Sequence, residues 1–232
     1  MTTELRVGLI GDVRGDGPVV ILLHGFGAPG DDLVPLAEVV AAPPGTRWVF
    51  PEGPLRLDFS GRAWWMIDVE AIQARAARGL EREVTREAPA GLAEARAAIL
   101  DLIENIEQDF DVASSRIVLV GFSQGGMLAL DVMLHAPREF AGVAVLSGTF
   151  IAEDDWGPRF PARKGVPVLM SHGTHDPLLP FRHSERLRDA LTAAGARVRW
   201  VPFEGGHTIP EDVVGELGAF VQEVLGSASG PG

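Results

Sequence analysis

Along the chain, short uninterrupted apolar runs alternate with longer segments whose apolar positions recur every three or four residues. Val19-Val20-Ile21-Leu22-Leu23 stands between Gly17-Pro18 and His24-Gly25, the pattern of a strand covered on both faces. Thr46 to Phe50, Ile117 to Val120, Val143 to Leu146, Val166 to Met170 and Val198 to Val201 repeat it, most of them bounded by Gly or Pro, and Leu5 to Ile10 allows one more strand. Helical spacing is carried by Leu33 to Val40, Gly91 to Asp109, Gln124 to His135, Phe181 to Ala194 and Glu211 to Leu225. Strand and helix alternate. This predicts an α/β fold in which a mostly parallel central sheet carries helices on both faces and binds ligands beyond the carboxyl ends of its strands.

The stretch from Asp68 to Pro89 breaks the rhythm, with dense charge and sparse apolar residues. Arg75, Arg78, Arg82 and Arg86 would form one stripe on a helix, and Glu81, Glu83 and Glu87 balance them, so the segment reads as a solvated face in preference to an anion-binding one, with a partial lid as the other role open to it. Residues 1–225 are expected to form one domain, and 226–232, rich in Gly and Ser, a flexible tail.

Composition narrows the function. With 46% hydrophobic and 22% charged residues, the 232-residue chain can bury a substantial core. Its 20 Lys and Arg against 32 Asp and Glu give a net charge of −12, a field that repels phosphate backbones and anionic lipid surfaces, so nucleic acid is not an expected partner. No apolar run reaches the length of a membrane helix and the start lacks a signal-peptide pattern, so a cytoplasmic protein without membrane insertion is expected. The absence of cysteine removes thiolate nucleophiles, disulfides and Cys-ligated metals. The chemistry falls to oxygen and nitrogen groups.

Gly121-Phe122-Ser123-Gln124-Gly125 matches G-x-S-x-G. Alone that motif is weak, but here it joins a β-branched run to a helical one, where a sharp turn projects the serine hydroxyl above the sheet. Ser123 is therefore the candidate nucleophile. A serine needs an imidazole to take its proton. His207 follows the last strand through Pro202-Phe203-Glu204-Gly205-Gly206 and precedes the final helix, and is the best placed of six histidines. His24 and His172 read as loop-shaping residues, His175 as a loop residue, and His135 and His183 as surface or packing residues.

The third member must be a carboxylate that orients the imidazole. Asp176 fits best, in His172-Gly173-Thr174-His175-Asp176-Pro177 directly after a strand, and the order Ser, Asp, His suits this architecture. Asp154 and Asp155 compete, in an acidic loop after another strand. Backbone amides for an oxyanion are expected at Gln124, which follows the serine, and at Phe26 in the Gly-rich turn His24-Gly25-Phe26-Gly27.

On Leu23-His24-Gly25-Phe26-Gly27, Trp64-Trp65, Gly121 to Gly126, Leu146-Ser147-Gly148, His172-Gly173 with Asp176-Pro177 and Pro180, and Gly206-His207, the chain resembles the phospholipase/carboxylesterase family of α/β-hydrolases. That family contains acyl-protein thioesterases and bacterial carboxylesterases. The resemblance implies a small or absent cap, ester or thioester hydrolysis without metal or cofactor, the triad Ser123, Asp176 and His207, and oxyanion amides at Phe26 and Gln124. It also implies that Trp64, Trp65 and Leu178 line the substrate pocket. Met66-Ile67-Asp68 and the Arg/Glu segment after it depart from the family pattern, which bears on substrate rather than reaction.

The expectation is a serine carboxylesterase acting on short to medium acyl esters. An acyl-protein thioesterase or lysophospholipase would use the same groups, and a homodimer is compatible with either. A peptidase would use the same triad, whose chemistry does not choose the leaving group, and a non-catalytic binding module on the same fold would be the reading if Ser123 or His207 were lost. Dienelactone hydrolases, which need a cysteine nucleophile, and dehalogenases, which need an aspartate at the position of Ser123, do not fit.

Overall fold

The computed structural model describes residues 5–68 and 86–226. Most of the Asp68 to Pro89 segment, including Arg75, Arg78 and Arg82, and the tail beyond Gly226 lie outside the described residues.

Seven strands form one sheet: β1 (Val7–Ile10), β2 (Val19–Leu23), β3 (Arg47–Pro51), β6 (Ile117–Phe122), β7 (Gly142–Leu146), β8 (Pro167–Gly173) and β9 (Arg197–Phe203). Their order is β1-β3-β2-β6-β7-β8-β9, with only β1 antiparallel to its neighbour. Two-residue strands β4 (Leu55–Arg56) and β5 (Arg62–Ala63) pair separately. Among the described residues the α-helices are α1 (Leu36–Val39), α2 (Leu92–Asp109), α3 (Gln124–His135), α4 (Glu153–Trp156), α5 (Phe181–Ala193) and α6 (Glu211–Gly226). This is the α/β-hydrolase architecture.

The apolar runs are continuous because both faces of the sheet are covered, and the period of two along each strand divides their residues between two cores. Val19, Ile21, Leu23, Ile117 and Leu119 face one core, with Ile99, Ile103 and Ile106 of α2, Leu128 of α3 and Leu187 of α5. Val20, Leu22, Val118 and Val120 face the other, with Val213, Leu217, Phe220 and Val221 of α6. Helix α2 buries Leu92, Ala95, Ile99, Ile103 and Ile106, one stripe at spacings of three and four. Burial of each large side chain contributes about 1.5–3 kcal/mol. Helix α3 is buried from Gln124 to Leu134, enclosed between the sheet and α2.

Most element ends shift by one to three residues from expectation, and two segments differ in kind. The segment from Leu33 contains only a four-residue helix, because the chain ahead of it is held by three-residue turns, Val34 to Asp31 and Leu36 to Leu33, around Pro35. The acidic stretch Glu153–Trp156 is a short helix rather than a loop, continued as a 3-10 turn over Gly157–Arg163. Trp156, fully buried, anchors it by donating its indole N–H to Asp131 at 2.8 Å.

Since β2, β6, β7, β8 and β9 run parallel, the segments after Leu23, Phe122, Leu146, Gly173 and Phe203 all leave the same edge of the sheet. Every candidate site residue sits in or beside one of them.

Candidate active site

Ser123 stands between β6 and α3 at φ 54° and ψ −116°, a conformation that a residue with a side chain adopts only when its surroundings hold it there. Its N–H donates to Leu146 O at 2.8 Å and its carbonyl accepts from Met127 N–H at 3.1 Å. The turn closes only because its neighbours lack side chains. A Cβ on Gly121 would fall 2.1 Å from Gly125 O, and one on Gly125 would fall 2.0 Å from Leu23 O.

Asp176 follows β8, and its carboxylate is fully enclosed. Oδ1 accepts the Leu178 and Leu179 amides at 2.8 and 2.9 Å. Oδ2 accepts from His207 Nδ1 at 2.6 Å and lies 3.2 Å from His172 Nε2. Burial pushes this carboxyl up, but the hydrogen bonds from His172, His207 and the Leu179 amide outweigh it and hold the group well below the usual carboxylate range.

The loop carrying His207 is fixed from two strands. Thr174 and His175 N–H groups donate to Phe203 O and Gly205 O, both at 2.9 Å. Ser147, at the end of β7 with φ 50°, donates its hydroxyl to Thr208 O at 3.2 Å. The imidazole packs against Phe122, the residue before Ser123, with ring centroids 4.9 Å apart. The elbow, the imidazole and the carboxylate are thus brought to one end of the sheet.

The turn after β2 is braced by His24, whose Nε2 accepts the Gly53 N–H at 2.8 Å while Nδ1–H donates to Gly25 O at 2.7 Å. Both bonds require the neutral ring, and burial lowers its basicity against the smaller opposing effects of the Gly25 carbonyl, Asp32 and Glu52. Gly27 N–H donates to Arg62 O and Arg62 N–H to Ala28 O, both at 2.8 Å, so the turn carrying Phe26 is stitched to β5. The Gln124 amide is the first of α3 and has no carbonyl one turn behind it within the helix.

Trp64 and Trp65 are each 2% exposed and belong to the core, offering almost no surface to a ligand in this conformation. Trp64 stacks on His24 at 5.0 Å and donates its indole N–H to His24 O at 2.9 Å. The buried Gln124 side chain spans the pair, accepting Trp64 N–H at 3.0 Å and donating to Trp65 O at 2.8 Å. The side chain of Gln124 is a brace that its place in the G-x-S-x-G turn does not announce; a buried glutamine beside Ser123, which must satisfy its amide group, is the signal for it. Leu178, by contrast, is 46% exposed beside Asp176.

The competing carboxylates have other partners. Asp154 pairs with Arg86 at 2.8 Å, and Asp155 with His135 and Arg159, both at 3.0 Å. His175 is exposed and His183 buried within α5. A groove of about 570 Å³ beside Phe150, Phe160 and Ala190 contains none of Ser123, Asp176 or His207. Among the described residues no helix is long and apolar enough to cross a membrane.

Residues 14–225 match the family model described as phospholipase/carboxylesterase. The chain is 29% identical to the acyl-protein thioesterase 1 of Cryptococcus neoformans over 201 residues, 82% of this chain and 79% of that protein. To the acyl-protein thioesterase 1 of Schizosaccharomyces pombe it is 27% identical, with 98% of this chain and 100% of that protein covered. The crystal structure of esterase PE8 superposes with a TM-score of 0.79 at 28% identity, covering 96% of this chain and 100% of that one. A Bacillus cereus carboxylesterase, 19% identical with a TM-score of 0.70, shares the fold over 95% of this chain and 94% of its own. The chain belongs to the phospholipase/carboxylesterase family of α/β-hydrolases and is an esterase-type enzyme.

Proposed function

We propose that this enzyme is a serine carboxylesterase that hydrolyses short to medium acyl esters through an acyl-enzyme, with Ser123 as nucleophile, His207 as general base and Asp176 as the orienting carboxylate. The observation that carries the reading is the 2.6 Å bond from His207 Nδ1 to the enclosed Asp176 carboxylate. It fixes the tautomer whose Nε2 is unprotonated and free to take the Ser123 proton.

In the first half-reaction His207 Nε2 removes the hydroxyl proton as Ser123 Oγ attacks the ester carbonyl. Negative charge on the carbonyl oxygen is met by the amides of Phe26 and Gln124, aided by the positive end of α3. Collapse expels the alcohol, which leaves with the proton held on His207. A water then gives its proton to the same nitrogen and attacks the acyl group, and His207 returns the proton to Ser123. The exposed Leu178 side chain beside Asp176 supplies apolar surface for the substrate, while Trp64 and Trp65 stiffen the wall behind the nucleophile helix. Each proton is accounted for by these groups, without a cofactor.

Hydrolysis of p-nitrophenyl esters from acetate to palmitate, beside thioester analogues and with Ser123→Ala as control, tests this reading. Ser123-dependent turnover greatest on short acyl chains supports it. A preference for thioesters or long chains would favour the thioesterase or lysophospholipase alternative, which the acyl-protein thioesterase names of the relatives motivate. No Ser123-dependent turnover would sink it.

A further inference from the structure

We propose that His172 is a positioning residue for the reaction, acting on the same carboxylate oxygen of Asp176 that accepts from His207; the proposal rests on the triad reading above. His172 lies in β8, is completely buried, and is surrounded at its nitrogens by oxygen acceptors. Nε2 is 2.8 Å from Leu179 O and 3.2 Å from Asp176 Oδ2, and Nδ1 is 3.2 Å from Gly148 O. An unprotonated Nε2 would set its lone pair against a carbonyl and a carboxylate at once in a dry site, so Nε2 carries a hydrogen shared between the two.

The consequence follows from where that hydrogen points. Oδ2, which accepts from His207 Nδ1 at 2.6 Å, also lies 3.2 Å from His172 Nε2, while Oδ1 is held by the Leu178 and Leu179 amides. The carboxylate therefore has donors on both oxygens before His207 is counted, and cannot rotate away without stranding them. His172 also grips Leu179 O, so the same ring sets both the turn that carries Asp176 and the orientation of its carboxylate. Since β8 fixes the ring, the aim of His207 is referred back to the sheet through His172. It touches no reacting atom.

Amide side chains separate the two ring nitrogens, since Gln places its amide nitrogen near the position of Nε2 and Asn near that of Nδ1. His172→Phe is expected to lower kcat by about tenfold to a hundredfold, the factor that one hydrogen bond to a charged group supplies, with KM little changed. His172→Gln should recover most of that loss and His172→Asn should not. Near-wild-type kcat in His172→Phe, or equal recovery by Asn and Gln, overturns the proposal. Spectra of wild-type protein labelled with 15N-histidine decide the matter if the variants do not fold: a hydrogen on Nε2 of His172 is required, and an unprotonated Nε2 overturns it. Ser123→Ala and His207→Ala are measured alongside. Full activity in those two would remove the triad reading itself, whereas their inactivity with an active His172→Phe would remove only the role of His172.

Discussion

His207 Nδ1 and Asp176 Oδ2 meet at 2.6 Å although 31 positions separate the two residues in the chain. The parallel pairing of β8 with β9 makes the meeting possible, and the contact of Thr174 and His175 with the 203–205 backbone completes it. If this bond orients the base, Asp176→Asn should lower kcat about 10⁴-fold with the fold intact. Ser123→Ala and His207→Ala should each lower it about 10⁶-fold, since each removes a group the whole triad needs. Asp154→Ala and Asp155→Ala should stay close to wild type. Steady-state kinetics on one p-nitrophenyl ester compares all five, and inactivity of Asp154→Ala or Asp155→Ala beside an active Asp176→Asn would reverse the assignment.

Gln124 supplies a second test, one of stability. Gln124→Leu keeps its size but strands the Trp64 N–H and Trp65 carbonyl in the core, so unfolding free energy should fall by roughly 1–3 kcal/mol for each unsatisfied group. Activity should fall too if the Gln124 amide serves the oxyanion as proposed, because the helix that carries it loses its brace. Urea denaturation followed by kinetics measures both, and unchanged stability would show that the brace contributes nothing.

Glycines divide by what surrounds them. Gly125→Ala places a Cβ 2.0 Å from Leu23 O, between two backbones that cannot separate without opening the elbow, and should abolish activity and disturb folding. Gly215 in α6 has nothing within 4 Å of a Cβ, so Gly215→Ala should raise stability by about 0.5–1 kcal/mol through helix propensity alone. Thermal unfolding of the pair tests the contrast.

Acid should weaken the fold through two groups. The folded state depresses the basicity of His24, so its contribution is present above about pH 6.5, the unfolded value, and declines as the unfolded chain takes up the proton that the buried ring refuses. The Asp176 carboxyl is likewise held below its unfolded value, so its contribution is full above about pH 4 and is lost as pH falls further. The stability gap between wild type and Asp176→Asn should accordingly be constant near neutrality and narrow below about pH 4. A gap independent of pH down to full protonation would contradict the electrostatic account of this carboxylate.

The sequence made the sheet legible because strands buried on both faces have no polar side, and Val19–Leu23 and Gln124–His135 match the expected limits residue for residue. The G-x-S-x-G turn was legible because its glycines answer a local demand. Contacts made across the fold were not. Nothing in Trp64-Trp65 distinguishes a pair that walls a pocket from one that is buried and hydrogen-bonded to Gln124 and His24. His172 and Asp176 are four residues apart, but only the turn at Pro177 to Leu179 folds the carboxylate back onto the ring. Helix α4 was hidden because Glu153-Asp154-Asp155 reads as solvated until Trp156 finds its partner Asp131 on α3.

Whether Ser123 forms the covalent intermediate is read out by peptide mass spectrometry of the enzyme after inactivation with a fluorophosphonate. A single phosphonyl adduct on the peptide containing Ser123, absent from Ser123→Ala and formed far more slowly in His207→Ala, is the predicted result. An adduct on another residue, or undiminished ester hydrolysis by enzyme fully modified at Ser123, would contradict it.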